Sequence, residues 1–270
     1  MKRLFLVLVC CVFTGCGTGY YDDLYRQHLD ELKRAEQFVV LTPEPSEVPG
    51  TNLVVRLPKI FDRSYNKNSI YSLDTSGEID PNRLNPPFLN PFPGLVNCYE
   101  AFVKDSAGEN LPIYLYTGFR DLPSEGKAAL EQELFGKLKA LAPTVTLDTV
   151  EALTPQGAKV PWKKMSAAMP QDFFPWGQGS GNAKQMPGVF ELWLYSPEAD
   201  PLAKQEAVPT GLVLFAWRAP ETIAGQVNLS GLATLTAGTL AVKPPEAKPA
   251  EPAAPPAEAA PADAQNAPAP

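Results

Sequence analysis

Leucines at 130, 134, 138 and 141 recur at i, i+4, i+8 and i+11, and this stripe predicts an amphipathic helix over residues 124–141. Ser124 is placed to cap it, Glu133 to face Lys137 one turn later, and Pro143 to stop it. On either side the pattern changes to short apolar or alternating runs, which predict strands. LVVRLP (53–58) is the first. LVNCYEAFV (95–103) and LPIYLYTGF (111–119) flank the turn-forming KDSAGEN and predict a β-hairpin. Tyr114 and Tyr116 share one face of it, and Ile113, Leu115 and Phe119 the other. TVTLDTVEAL (144–153) and AKVPWKKMSAAM (158–169) lie either side of a TPQG turn. GVFELWLYSP (188–197) and TGLVLFAWRAP (210–220) are apolar on both faces, as strands in the middle of a sheet are. Ile223, Val227, Leu232 and Leu235 predict a closing helix, weakened by Gly225, Gly231 and Gly238.

Outside this region the chain is polar or irregular. Leu24, His28, Leu32 and Ala35 predict a helix over residues 20–40, which reads as a spacer. TPEPSEVPG (42–50) reads as a linker, because three prolines in nine residues carry no helix. Residues 59–95 are rich in Asn and Pro but hold Phe61, Tyr65, Tyr71, Phe88 and Phe92; this is either a loop pinned over the sheet or a binding loop. From Lys243 onward 20 of 28 residues are Pro or Ala, so no core forms there and the tail is expected to be disordered. Fully extended it would reach roughly 85 Å.

The expected fold class is therefore α+β: a single antiparallel sheet with one main amphipathic helix and a weaker C-terminal helix, plus a disordered C-terminal tail. The domains are expected as 1–15 signal peptide, 16–51 acylated cysteine, polar helix and linker, 52–242 globular domain, and 243–270 tail.

The N-terminus changes the picture. Lys2 and Arg3 precede ten unbroken apolar residues, Leu4 to Phe13. Ten helical residues rise about 15 Å, half of a bilayer core, which fits a signal-peptide core rather than a permanent span. Phe13-Thr14-Gly15-Cys16 follows and resembles the lipobox of bacterial lipoproteins, with Phe13 where that family usually has leucine. The resemblance implies cleavage before Cys16 and a lipid on its sulfur, and several acyl chains hold a protein firmly on a membrane. It also implies, from Gly17 in place of Asp, the periplasmic face of the outer membrane.

Composition then excludes whole classes. The chain has 23 basic and 30 acidic side chains, a net charge of −7 that moves to about −9 once residues 1–15 are cleaved. Nucleic acid is excluded as a partner, since it needs basic surface. Of four cysteines only Cys98 remains unmodified in the mature chain, so no internal disulfide is expected, and Cys98 is expected to be buried. The single histidine, His28, lies in the polar segment and cannot build a Ser-His-Asp, Cys-His or His-rich zinc site. Gly177, Gly179 and Gly181 lack the Lys-Ser/Thr of a phosphate loop. No metal or cofactor is expected, and no catalytic residue. An enzyme would have to use carboxylates alone, from Glu100, Asp121, Asp148 or Glu191.

The order of LVVRLP, YEAFV, IYLYTGF, helix 124–141, FELWLYSP and GLVLFAWRAP over residues 52–242 resembles the PsbP-like fold. The likeness is one of topology and carries over no binding residue. Two functions stand: a membrane-anchored, non-catalytic interaction module with a cell-wall or envelope protein as partner, or a lipoprotein binding a small ligand in an apolar pocket between the sheet and helix 124–141. Ala128, Ala129 and Ala140 are the small residues that would leave room for it.

Overall fold

A computed structural model describes residues 18–67, 69–71, 95–142, 144–174, 183–197 and 209–243. In chain order these form α1 (Thr18–Gln37), β1 (Ser46–Glu47), β2 (Leu53–Val55), β3 (Ile70–Tyr71), β4 (Leu95–Lys104), β5 (Asn110–Asp121), α2 (Ser124–Leu141), β6 (Thr146–Leu153), β7 (Lys159–Phe173), β8 (Lys184–Tyr195), β9 (Gly211–Pro220), α3 (Glu221–Gln226), α4 (Leu229–Gly238) and β10 (Ala241–Val242). The N-terminal residues 1–17 with the expected signal segment and Cys16, residues 72–94, Gly177, Gly179, Gly181 and the tail beyond Lys243 lie outside the described residues.

The described residues form two antiparallel sheets, which corrects the expectation of one. The large sheet runs β3-β4-β5-β9-β8-β7-β6, and β1-β2-β10 form a second of three strands. LVVRLP does contain a strand, but it pairs with Ser46–Glu47 and Ala241–Val242 rather than with the large sheet. All three β2 residues are buried, because the small sheet packs on a face of the large one. An apolar run specifies a buried strand and is silent about which strand it meets.

Both faces of the large sheet are covered, so β9 is buried at all ten positions. On one face α2 sets Leu130, Leu134 and Leu138 against Cys98, Tyr114, Tyr116, Met165, Leu192 and Leu214. Leu141, the last of the stripe, stays exposed. Pro123, not Ser124, occupies the α2 N-cap position, and no side chain caps it. On the other face the small sheet, α3 and α4 enclose Trp162, Trp193, Phe215 and Trp217, with Val48 of the proline-rich segment in the same core. Phe61 belongs there too, against Tyr99 and Trp217.

The closing helix breaks in two at Asn228, whose left-handed backbone (φ 52°) Asn tolerates better than most residues. Its side chain accepts from the Gly231 N–H at 3.3 Å and starts α4. Gly238 lets α4 rest on β6: a Cβ there would lie 2.1 Å from the Leu153 carbonyl oxygen. Gly238→Ala is expected to cost about 1–3 kcal/mol by urea denaturation; an unchanged midpoint would show that α4 does not seat on that backbone.

Candidate functional site

The α2 stripe explains the first concave site. One turn before Leu130 it falls on Gly126 and Lys127, which bring no apolar side chain to the sheet. A cavity of about 380 Å³ results, lined by Lys127, Ala128 and Glu131 of α2 and by Lys163, Leu194 and Leu212 of the sheet. Ser196 lines it too, and Trp162 and Tyr195 border it with their side chains in the core on the opposite face of the sheet. Its volume sits at the small end of the roughly 300–1,000 Å³ typical of ligand pockets. Lys127 donates to the Ser196 hydroxyl at 2.9 Å, and partial burial lowers its pKa below the usual lysine value. Glu131 is engaged by Lys163 at 2.5 Å. All three alanines expected to leave room are exposed; Ala128 lines the rim of this cavity, and Ala129 and Ala140 lie elsewhere on α2.

A second feature of the same sheet face is a fully buried cation, Arg218 on β9. Its guanidinium lies 4.5 Å from the Tyr114 ring centre and 4.9 Å from that of Phe173. It donates to Gln171 Oε1 at 3.2 Å, to the Tyr116 hydroxyl at 3.4 Å and to the Asp172 carbonyl. Glu100 lies in the same cross-strand row through Tyr114, and is also fully buried. Burial, then the Glu100 charge, push the Cys98 thiol and the Tyr114 hydroxyl well above their usual values. Tyr116 is raised by burial and by Cys98. Cys98 is thus an inert core thiol.

This cluster sets an alkaline limit. In the unfolded chain a thiol loses its proton near about 8.5 and a phenol near about 10, while the folded protein keeps all three protons. Below pH 8 the groups contribute no pH dependence; above it the unfolded state binds fewer protons, so stability falls as pH rises. Each group adds a slope of about 1.4 kcal/mol per pH unit once its unfolded pKa is passed. Urea midpoints between pH 7 and 11 check this; a flat profile to pH 11 would sink it.

The four candidate carboxylates are not brought together. Glu100 faces α2, whereas Glu191 is on the opposite face, accepting from Trp193 Nε1 at 3.0 Å and paired with Lys164 at 3.3 Å. Lys164 also donates to Ser230 of α4 at 2.9 Å, so Glu191 holds α4 to the sheet. Asp121 and Asp148 are exposed on β5 and β6. Among the described residues no three His, Cys, Asp or Glu side chains gather as metal ligands, and His28 stands exposed on α1. A wider recess of about 640 Å³ lies between Glu44, Glu47, Leu57, Asp62 and Tyr99, where Lys243 holds Glu47 at 2.6 Å.

Arg218 and Lys127 were both missed as site residues. The signal for Arg218 was present, one charge inside the otherwise apolar TGLVLFAWRAP. That for Lys127 was the stripe ending one turn inside the helix.

No family model, curated protein or solved structure matches the chain.

Proposed function

We propose that this chain is a lipid-anchored envelope lipoprotein whose folded domain holds a small apolar molecule between α2 and the large sheet. The observation that carries the binding half is the cavity of about 380 Å³ at the first turns of α2, with Leu194 and Leu212 in its lining. The anchor half rests on the basic start, the ten apolar residues and Cys16. It fits that α1 begins two residues past Cys16 and is exposed along most of its length. Twenty residues of helix, about 30 Å, would carry the domain clear of the lipid surface.

Two mass measurements test it. Protein purified from membranes is expected to start at Cys16 with added acyl mass, and Cys16→Ala is expected to lack that mass and leave the membrane fraction. Native mass spectrometry of the same material is expected to show a small co-purifying molecule that Ala128→Trp removes. A soluble, unacylated wild type would end the anchor half, and an empty pocket that takes up no added amphiphile the binding half.

One observation favours the other reading, an interaction module. β6 is the outermost strand of the large sheet beyond β7, and Thr146, Leu147, Asp148 and Thr149 on it are exposed. A partner could add a strand there. Charge-reversing Asp148 would weaken such a contact and leave the α2 pocket untouched.

A further inference from the structure

We propose that the first two turns of α1 seat in the headgroup layer of a membrane, with Tyr20, Tyr21, Leu24 and Tyr25 against a zwitterionic lipid surface. This rests on the anchor reading above and adds a second, non-covalent contact to it. Three observations carry it. The first is exposure. Tyr20, Tyr21 and Tyr25 are 66%, 71% and 65% exposed and Leu24 43%. Among the described residues no other two turns of chain leave four large hydrophobic side chains open to water. A contiguous apolar patch marks a surface that meets another apolar phase. The second is arrangement. Tyr20 and Leu24, Tyr21 and Leu24, and Tyr21 and Tyr25 are three or four residues apart, so they form one patch, while Asp23, Arg26 and Asp30 share the opposite side of the helix. The folded domain does not cover the patch. Every residue from Tyr20 to His28 is exposed, and the helix is tied down further on, where Arg34 donates to the Gln156 carbonyl at 3.3 Å and Phe38 is buried. From Tyr25 to Arg34 the helix rises about 14 Å, so seating its first turns still holds the domain off the lipid. The third is reach. Cys16 lies four residues before Tyr20, at most about 14 Å of extended chain, so a lipid on Cys16 keeps the patch at the membrane surface. Tyrosine suits that layer, with its ring at the acyl boundary and its hydroxyl in water. Residues 18–25 carry Asp22 and Asp23 and no basic side chain, so an anionic surface repels them and a zwitterionic one does not.

The test places a nitroxide label at Leu24→Cys or at Asp23→Cys in the acylated chain purified from membranes. Cys98 is buried and does not compete for the label. Each labelled protein is reconstituted in phosphatidylcholine vesicles, and the label's collision rates with oxygen and with a water-soluble nickel chelate are read by electron paramagnetic resonance. At Leu24 the nickel rate is expected to be severalfold lower than at Asp23, and the oxygen rate higher. Adding Tyr20→Ser, Tyr21→Ser and Tyr25→Ser together is expected to return the Leu24 label to the Asp23 values. Replacing part of the phosphatidylcholine by phosphatidylglycerol is expected to shrink the difference between the two positions at low salt. A Leu24 label as open to the nickel chelate as the Asp23 label would overturn the seated helix and leave the anchor reading standing. Protection of Leu24 that survives the three serines would overturn the assignment to the tyrosines. A deeper Leu24 label in the mixed vesicles would overturn the preference for a zwitterionic surface. Line broadening at Leu24 that disappears on dilution with unlabelled protein would show that the patch meets a second copy of the chain, and would overturn the lipid contact. A wild-type chain without acyl mass would overturn both readings.

Discussion

Arg218→Ala is expected to lower stability by about 3–5 kcal/mol, the usual cost of removing one partner from a buried charged network. The side chain is fully buried, and its donors serve Gln171, Tyr116 and the Asp172 carbonyl. Its loss opens a void between the Tyr114 and Phe173 rings and strips three acceptors of a donor. It also leaves the Glu100 carboxylate in the same row without the positive charge that offsets it. Lysine is not expected to rescue, because the planar guanidinium both stacks between two rings and donates along several directions. Arg218→Met combined with Glu100→Gln is expected to recover part of the loss, since the net buried charge is then removed as a pair. Urea denaturation of the four proteins checks this. Arg218→Lys within about 1 kcal/mol of wild type would show that the ring sandwich contributes little.

Trp162→Ala is expected to cost about 3–5 kcal/mol, from lost burial and the cavity left behind. Trp162 is fully buried on β7, 4.9 Å from the Tyr195 ring, 5.2 Å from Phe215 and 6.4 Å from Trp193. The indole N–H has no acceptor among the described residues. Trp162→Phe therefore removes a buried donor along with some volume, and is expected to cost well under half as much as alanine. Thermal and urea melts of both variants test this ordering, and a phenylalanine variant as unstable as the alanine one would mean that the N–H is satisfied in solution.

Much of the architecture was legible in the sequence. The hairpin of β4 and β5 follows from two alternating runs around KDSAGEN, and its faces are those the alternation assigns: Tyr114 and Tyr116 towards α2, Ile113 and Leu115 away from it. Helix α2 follows from its leucine spacing, and the central position of β8 and β9 from being apolar on both faces. These are short-range signals, each complete within one segment. The second sheet was not legible, because β1, β2 and β10 are brief and come from places nearly 200 residues apart. Nor was Val48, hidden among prolines and glutamates, recognisable as core.

The candidate site divides the same way. Helix 124–141 and a small residue, Ala128, could be read from the chain; that Lys127 meets Ser196, and that Glu131 meets Lys163, could not. Glu100 and Glu191 look alike in sequence, each one carboxylate inside an apolar strand. Only the tertiary structure puts one beneath α2 in the Arg218 row and the other beneath α4 with Lys164 and Trp193. By itself the sequence determined the longer strands, helix α2 and their faces, since periodicity, turn residues and charge act over a few neighbours. Strand partners, the second sheet and the pairing of buried charges were decided by tertiary structure, because they depend on which faces are left to bury once the local elements exist.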